Sequence, residues 1–126
     1  MKDLQIEPTN KTPLIDFYTS GKLVFAGSAY PENAKEFFDP IINWITELQV
    51  DTVDFDLIIE YINTSAAKKL LEMLQRLQAN DKIQERKIKW FYQEWDEDTL
   101  ETGKILSESL PEISFEFVEY ENKNEK

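Results

Sequence analysis

The chain lacks cysteine and histidine altogether and has 3 glycines in 126 residues. Without histidine the commonest general base and the Ser-His triads are excluded, and without cysteine there is no thiol nucleophile, disulfide or thiolate metal site. Gly21, Gly27 and Gly103 are too few and too scattered to write a dinucleotide fingerprint or a phosphate-cradling loop. Basic residues are outnumbered, 14 against 25 acidic, for a formal charge of -11. Such a surface repels phosphate backbones and anionic lipid, so neither nucleic acid nor a membrane is expected as a partner. No run approaches the roughly 20 apolar residues of a membrane span, and Met1-Lys2-Asp3-Leu4 leads into no apolar segment, which gives a cytoplasmic expectation.

What is present is a core. Hydrophobic residues make up 41% of the chain and aromatics 13%, enough for one packed domain over residues 1–126, with about 121–126 a polar tail that frays. Leu14 to Tyr18 and Lys22 to Ala26 are β-prone runs joined by the turn residues Thr19-Ser20-Gly21, a hairpin. Glu32 to Leu48 has apolar residues at helical spacing, with Pro31 fitted to its first turn and Asp39-Pro40 predicting a kink or two abutting helices. In Val53 to Tyr61 every odd position is apolar, which predicts a strand with Tyr61 on its apolar face. A second helix follows over Ala66 to Leu77 and ends at Asn80-Asp81. Ile88, Trp90 and Tyr92 then alternate as a strand, a third helix begins near Asp96, and Ile113, Phe115 and Phe117 alternate as the last strand. The expected fold is therefore α/β: a hairpin followed by αβαβαβ, giving a mostly parallel sheet of about five strands with three main helices.

Three features bear on chemistry. Asp54 and Asp56 point the same way on a strand, with Glu60 further along, so a divalent-metal enzyme is one reading and a solvated or ion-paired strand face the other. The run Glu94-Trp95-Asp96-Glu97-Asp98 suits a helix N-terminus, where carboxylates complement the dipole, and Trp95 among those charges is a candidate contact residue. Asn63-Thr64-Ser65 stands where a strand gives way to a helix. Those side chains are good N-caps, and a hydroxyl there is also a favourable place for a phosphate, because helix amides and the dipole favour an anion. Lys68, four residues beyond Thr64, is placed to receive that phosphate.

Several blocks together resemble one family. They are Thr12-Pro13-Leu14-Ile15-Asp16-Phe17, then Gly27-Ser28-Ala29-Tyr30-Pro31-Glu32-Asn33-Ala34 with Phe37-Phe38 and Pro40, then Tyr61-Ile62-Asn63-Thr64-Ser65 with Lys68, and Trp90-Phe91-Tyr92 leading into Asp96-Glu97-Asp98. The chain resembles, over nearly its whole length, the SiaC-like regulatory phosphoproteins, small bacterial proteins with a fold like that of the anti-sigma-factor antagonists (STAS domains). The resemblance implies a non-enzymatic partner-switching protein without cofactors. A kinase would phosphorylate a hydroxyl in the Asn63-Thr64-Ser65 block, a PP2C-type phosphatase would reverse it, and the unmodified form would activate a diguanylate cyclase in c-di-GMP signalling and biofilm regulation. The acceptor carries over to Thr64, with Ser65 as the alternative; a further Ser in the family pattern is Ala66 here. Asn63 and Lys68 would support the cap and the phosphate, and Tyr30, Glu32, Asn33 and Trp95 would meet the partner. A purely structural interaction subunit is the remaining class.

Overall fold

The computed structural model describes residues 1–121. The elements run β1 (Leu4–Ile6), β2 (Leu14–Phe17), β3 (Lys22–Ala29), α1 (Ala34–Glu47), β4 (Thr52–Ile62), α2 (Thr64–Ala79), β5 (Glu85–Gln93), α3 (Glu97–Glu108) and β6 (Ser114–Tyr120). They form a 6-stranded sheet in chain order. Its pairings are antiparallel from β1 to β3 and parallel from β3 to β6.

The sheet is thus mixed and has six strands, where the sequence led to a mostly parallel sheet of about five. The extra strand, Leu4-Gln5-Ile6, is too short for a two-residue period to register. It is held by its ladder to β2 and by the Trp44 indole, which donates to the Lys2 carbonyl at 2.8 Å. Residues 122–126, most of the expected frayed tail, lie outside the described residues, and Tyr120 ends β6. The hairpin turn forms as expected, with Gly21 at φ 101, a value that favours glycine.

Because strand order follows chain order, right-handed crossovers carry all three helices to one face of the sheet. Burial alternates accordingly: Val53, Phe55, Leu57 and Ile59 of β4 are buried, while Asp54 is exposed and Asp56 and Ile58 are half-buried. Phe17, Phe25, Phe38, Phe55 and Trp90 are the largest wholly buried side chains. α1 runs as one helix through Pro40, not as two abutting helices. The lost ladder bond falls at an exposed residue, and burial of Phe38, Ile41, Ile42, Trp44 and Ile45 outweighs it.

α1 and α2 are tied by Asp39, which accepts from Lys69 at 2.8 Å and also from Lys35. Those two bonds hold the Asp39 carboxyl below its usual range, and the Asp39 bond raises the Lys69 ammonium above its own. α3 lies against Trp90 at Gly103, where an added Cβ would stand 2.5 Å from the indole nitrogen. Only glycine permits that approach, and it lets the Trp90 indole donate to the Thr99 carbonyl at 3.0 Å.

The expected Tyr61 orientation fails, for a local reason. Gly27 pairs with Ile59 but Ser28 pairs with Tyr61, so β4 carries one extra residue, Glu60, and bulges there. A one-residue slip reverses the faces of all side chains beyond it. Ile62 turns toward the core, and Tyr61 is left 55% exposed.

Candidate functional site

The turns after β3, β4 and β5 all lie at the carboxyl ends of the parallel strands, where the loops of such sheets gather. Each leads into a helix capped by an Asx side chain that accepts from the third helical N–H. Asn33 accepts from Glu36 at 3.0 Å, Asn63 from Ala66 at 2.9 Å, and Asp96 from Thr99 at 3.1 Å. The first two turns are tied directly, since the Asn63 amide donates to the Ala29 carbonyl at 3.1 Å.

At the second turn the capping duty falls on Asn63, and Thr64 is the first residue of α2. The sequence allowed Thr64 to be the cap; it is not, because the extended backbone that a cap requires ends at Asn63 (φ -86, ψ 173). Thr64 is exposed, and its hydroxyl makes no hydrogen bond among the described residues. The neighbouring Ser65 hydroxyl is engaged, donating to the Asn63 carboxamide oxygen at 3.2 Å. Lys68 is exposed and has no ion-pair partner among the described residues, whereas Lys69 is bound to Asp39 and Glu72. The first turn of α2 carries no acidic residue, in contrast to Glu36 in α1 and Glu97 and Asp98 in α3. An anion entering at Thr64 therefore meets free amides and a free lysine, with no carboxylate in that turn to repel it.

The other predicted residues gather at this end but in different states. Tyr30 is half-buried, its amide bonded to the Lys11 carbonyl at 2.8 Å and its ring edge-on to Tyr61 at 5.6 Å. Glu32 is exposed and pairs with Lys11 at 3.2 Å. Asn33 is occupied as the α1 cap. Trp95 is 67% exposed and donates from its indole to Gln93 Oε1 at 3.2 Å. Tyr61 was missed as a surface residue; only the bulge, which alternation does not reveal, brings it out. It lines one groove with Glu60, Ile62, Trp95, Asp96 and Asp98.

The strand carboxylates do not assemble a metal centre. Asp56 is bonded to Lys22 at 3.0 Å, Lys22 and Lys87 stand opposite Asp54 on the flanking strands, and Glu60 is displaced by the bulge. Among the described residues no group of three acids is placed to hold a metal ion. Nor is any helix among them long and apolar enough to cross a membrane.

Known proteins share this fold over almost all of the chain. The structure of the diguanylate cyclase SiaD in complex with its activator SiaC, from Pseudomonas aeruginosa, contains a chain that superposes with a TM-score of 0.79. It is 27% identical, over 94% of this chain and 100% of that one. The apo-SiaC crystal structure from the same organism gives 0.77 at 28% identity, over 96% of this chain and 100% of that one. An uncharacterized protein of Pseudomonas aeruginosa strain UCBPP-PA14 is 31% identical over 122 residues, 93% of this chain and 94% of its own length. The model of the SiaC family regulatory phosphoproteins matches residues 6–120, and to that family the chain belongs.

Proposed function

We propose that this protein is a non-enzymatic switch whose state is set by phosphorylation of Thr64 and whose unphosphorylated form binds and activates a diguanylate cyclase in the cytoplasm. A protein kinase adds the phosphate and a PP2C-type phosphatase removes it. The observation that carries the reading is the free Thr64 hydroxyl at the start of a helix already capped by Asn63 and lacking first-turn acids. Ser65, with its hydroxyl bonded to the cap, is the poorer acceptor. The complex of SiaC with SiaD supports a cyclase as the partner, and family membership supports the regulatory role.

The direction of the switch follows from solvation. A partner closing over Thr64 must strip water from whatever stands there, and a phosphate carrying about -1.5 to -2 charges is costly to bury without matched cations. At about 1.4 kcal/mol for each tenfold in affinity, a mismatch of a few kcal/mol lowers binding roughly a hundredfold. The test is capture of a diguanylate cyclase by wild type, Thr64→Ala and enzymatically phosphorylated protein, with cyclase activity read in parallel and the phosphosite localised by mass spectrometry. Wild type and Thr64→Ala should capture and activate, and the phosphorylated form should do neither. Labelling that survives Thr64→Ala but not Ser65→Ala would move the acceptor, and stronger capture by the phosphorylated form would reverse the switch. Since Thr64 is not the cap, Thr64→Ala should change stability by less than about 0.5 kcal/mol, so loss of labelling will not reflect unfolding.

A further inference from the structure

The groove between Tyr61 and Trp95 has a composition that the phosphate at Thr64 does not account for. Resting on the reading of the chain as a partner-binding switch, we infer that this groove seats an arginine side chain of the protein partner, its guanidinium held between the two aromatic rings and the carboxylates of Glu60 and Asp98.

Trp44 and Trp90 are buried, yet Trp95 is 67% exposed and Tyr61 55%. Both rings are held in place. The Trp95 indole is fixed to Gln93, itself only 9% exposed, and Tyr61 lies against the edge of Tyr30. Two exposed aromatics with settled orientations are ready-made contact surfaces.

The same groove carries negative charge that the chain leaves unmatched. Both Asp96 oxygens are used, one by the Thr99 amide and one by the Thr99 hydroxyl at 2.7 Å. Glu60 and Asp98 have no ion-pair partner among the described residues. The chain has no arginine of its own to spare. Arg76 lies against Glu72, and Arg86 donates to the Leu77 and Asn80 carbonyls.

Rings and carboxylates together select the occupant. An apolar side chain would satisfy the rings but desolvate carboxylates that gain nothing in return. An anion is repelled. A lysine ammonium is a compact, strongly hydrated charge with no flat surface. A guanidinium is planar and weakly hydrated, so it stacks on an aromatic face while its edge donates to a carboxylate.

The groove does not include Thr64, so occupancy and phosphorylation can be measured separately. The full chain is titrated with the blocked tripeptides acetyl-Ala-Arg-Ala-amide, acetyl-Ala-Lys-Ala-amide and acetyl-Ala-Leu-Ala-amide, following the three tryptophan indole N–H resonances by NMR. The arginine peptide should move the Trp95 resonance saturably, with a dissociation constant on the order of millimolar, as befits one side chain. The lysine peptide should bind about fivefold more weakly, and the leucine peptide should leave the resonance in place. Tyr61→Ala and the Glu60→Gln, Asp98→Asn pair should each weaken the arginine response, and Thr64→Ala should leave it unchanged. Equal response to lysine and arginine, or arginine-induced shifts of backbone amides around the groove that persist in Trp95→Ala, would reduce the groove to a diffuse counter-ion surface and overturn the inference. A preference for leucine would overturn it in favour of an apolar anchor. If arginine binds but Thr64 is never phosphorylated, the switch reading fails and the groove stands; if the switch works and arginine does not bind, only this inference falls.

Discussion

α2 and α3 start side by side at the ends of β4 and β5, and their first turns are built to opposite ends. At α3 the positive end of the helix is neutralised from within: Asp96 holds both the amide and the hydroxyl of Thr99, Glu97 and Asp98 follow, and Trp90 bonds the Thr99 carbonyl from beneath. At α2 the cap is a neutral asparagine, the first turn carries no acid, and Thr64 presents a hydroxyl that no other described residue uses. One helix start is closed by its own charges, and the other carries none in its first turn. The same fold element can thus be closed by its own charges or left electrostatically open, depending on which side chains occupy four consecutive positions.

The comparison breaks most sharply at the seat of α3. Gly103→Ala drives a methyl group into the Trp90 ring, which is wholly buried and cannot retreat. Chemical denaturation should show a loss of about 1–3 kcal/mol; a loss below the noise of the measurement would mean that α3 is not held closed in the way described. Next come the caps. Asp96→Ala removes two bonds and leaves the buried Thr99 hydroxyl without its partner, so it should cost about 2 kcal/mol, against about 1 kcal/mol for Asn63→Ala. Equal costs in thermal melts of the two variants would erase the distinction between the two helix starts.

Ser65→Glu sharpens the contrast by giving α2 the acidic first turn of its neighbour. It should stabilise the unmodified protein by about 0.3–1 kcal/mol and slow phosphate incorporation at Thr64, read by a melt and a kinase time course. Unchanged labelling would show that first-turn charge does not control the switch.

The smallest effect is at the α1–α2 tie. Because Lys35 and Lys69 depress the Asp39 carboxyl, its contribution is present above the ordinary value of 3.8 and fades as pH falls through the lower folded-state value. Lys69 is raised, so its contribution is present below 10.5 and fades as pH climbs past it. Asp39→Asn should flatten the acid limb of stability against pH, and an unaltered limb would remove Asp39 from the account.

How much of this was legible in the sequence depended on the length of each signal. The hairpin, the three helices and strands β4 to β6 announced themselves by runs long enough for a period to repeat. Leu4-Gln5-Ile6 did not, since three residues cannot display alternation and its partner β2 decides its state. Pro40 overstated a break because the burial around it is a property of the whole helix. At the site, the sequence placed Thr64 at a helix start. It could not decide which of the three polar residues is the cap, a matter set by the backbone angles at Asn63. Tyr61 was misread because its alternation is flawless in the sequence and interrupted only by a partner strand.

That interruption at Glu60 works as a phase shift. Upstream of it β4 speaks to the core; downstream the same period is advanced by one, so an aromatic residue written in the core's rhythm is delivered to water. Regular pairing through Glu60 would turn Tyr61 to the core and Ile62 to water, whereas removing Glu60 would close the bulge and leave Tyr61 directly after Ile59, still facing water. The face on which Tyr61 stands is therefore set by how β4 pairs with β3 at Glu60, and not by the alternation of its own residues.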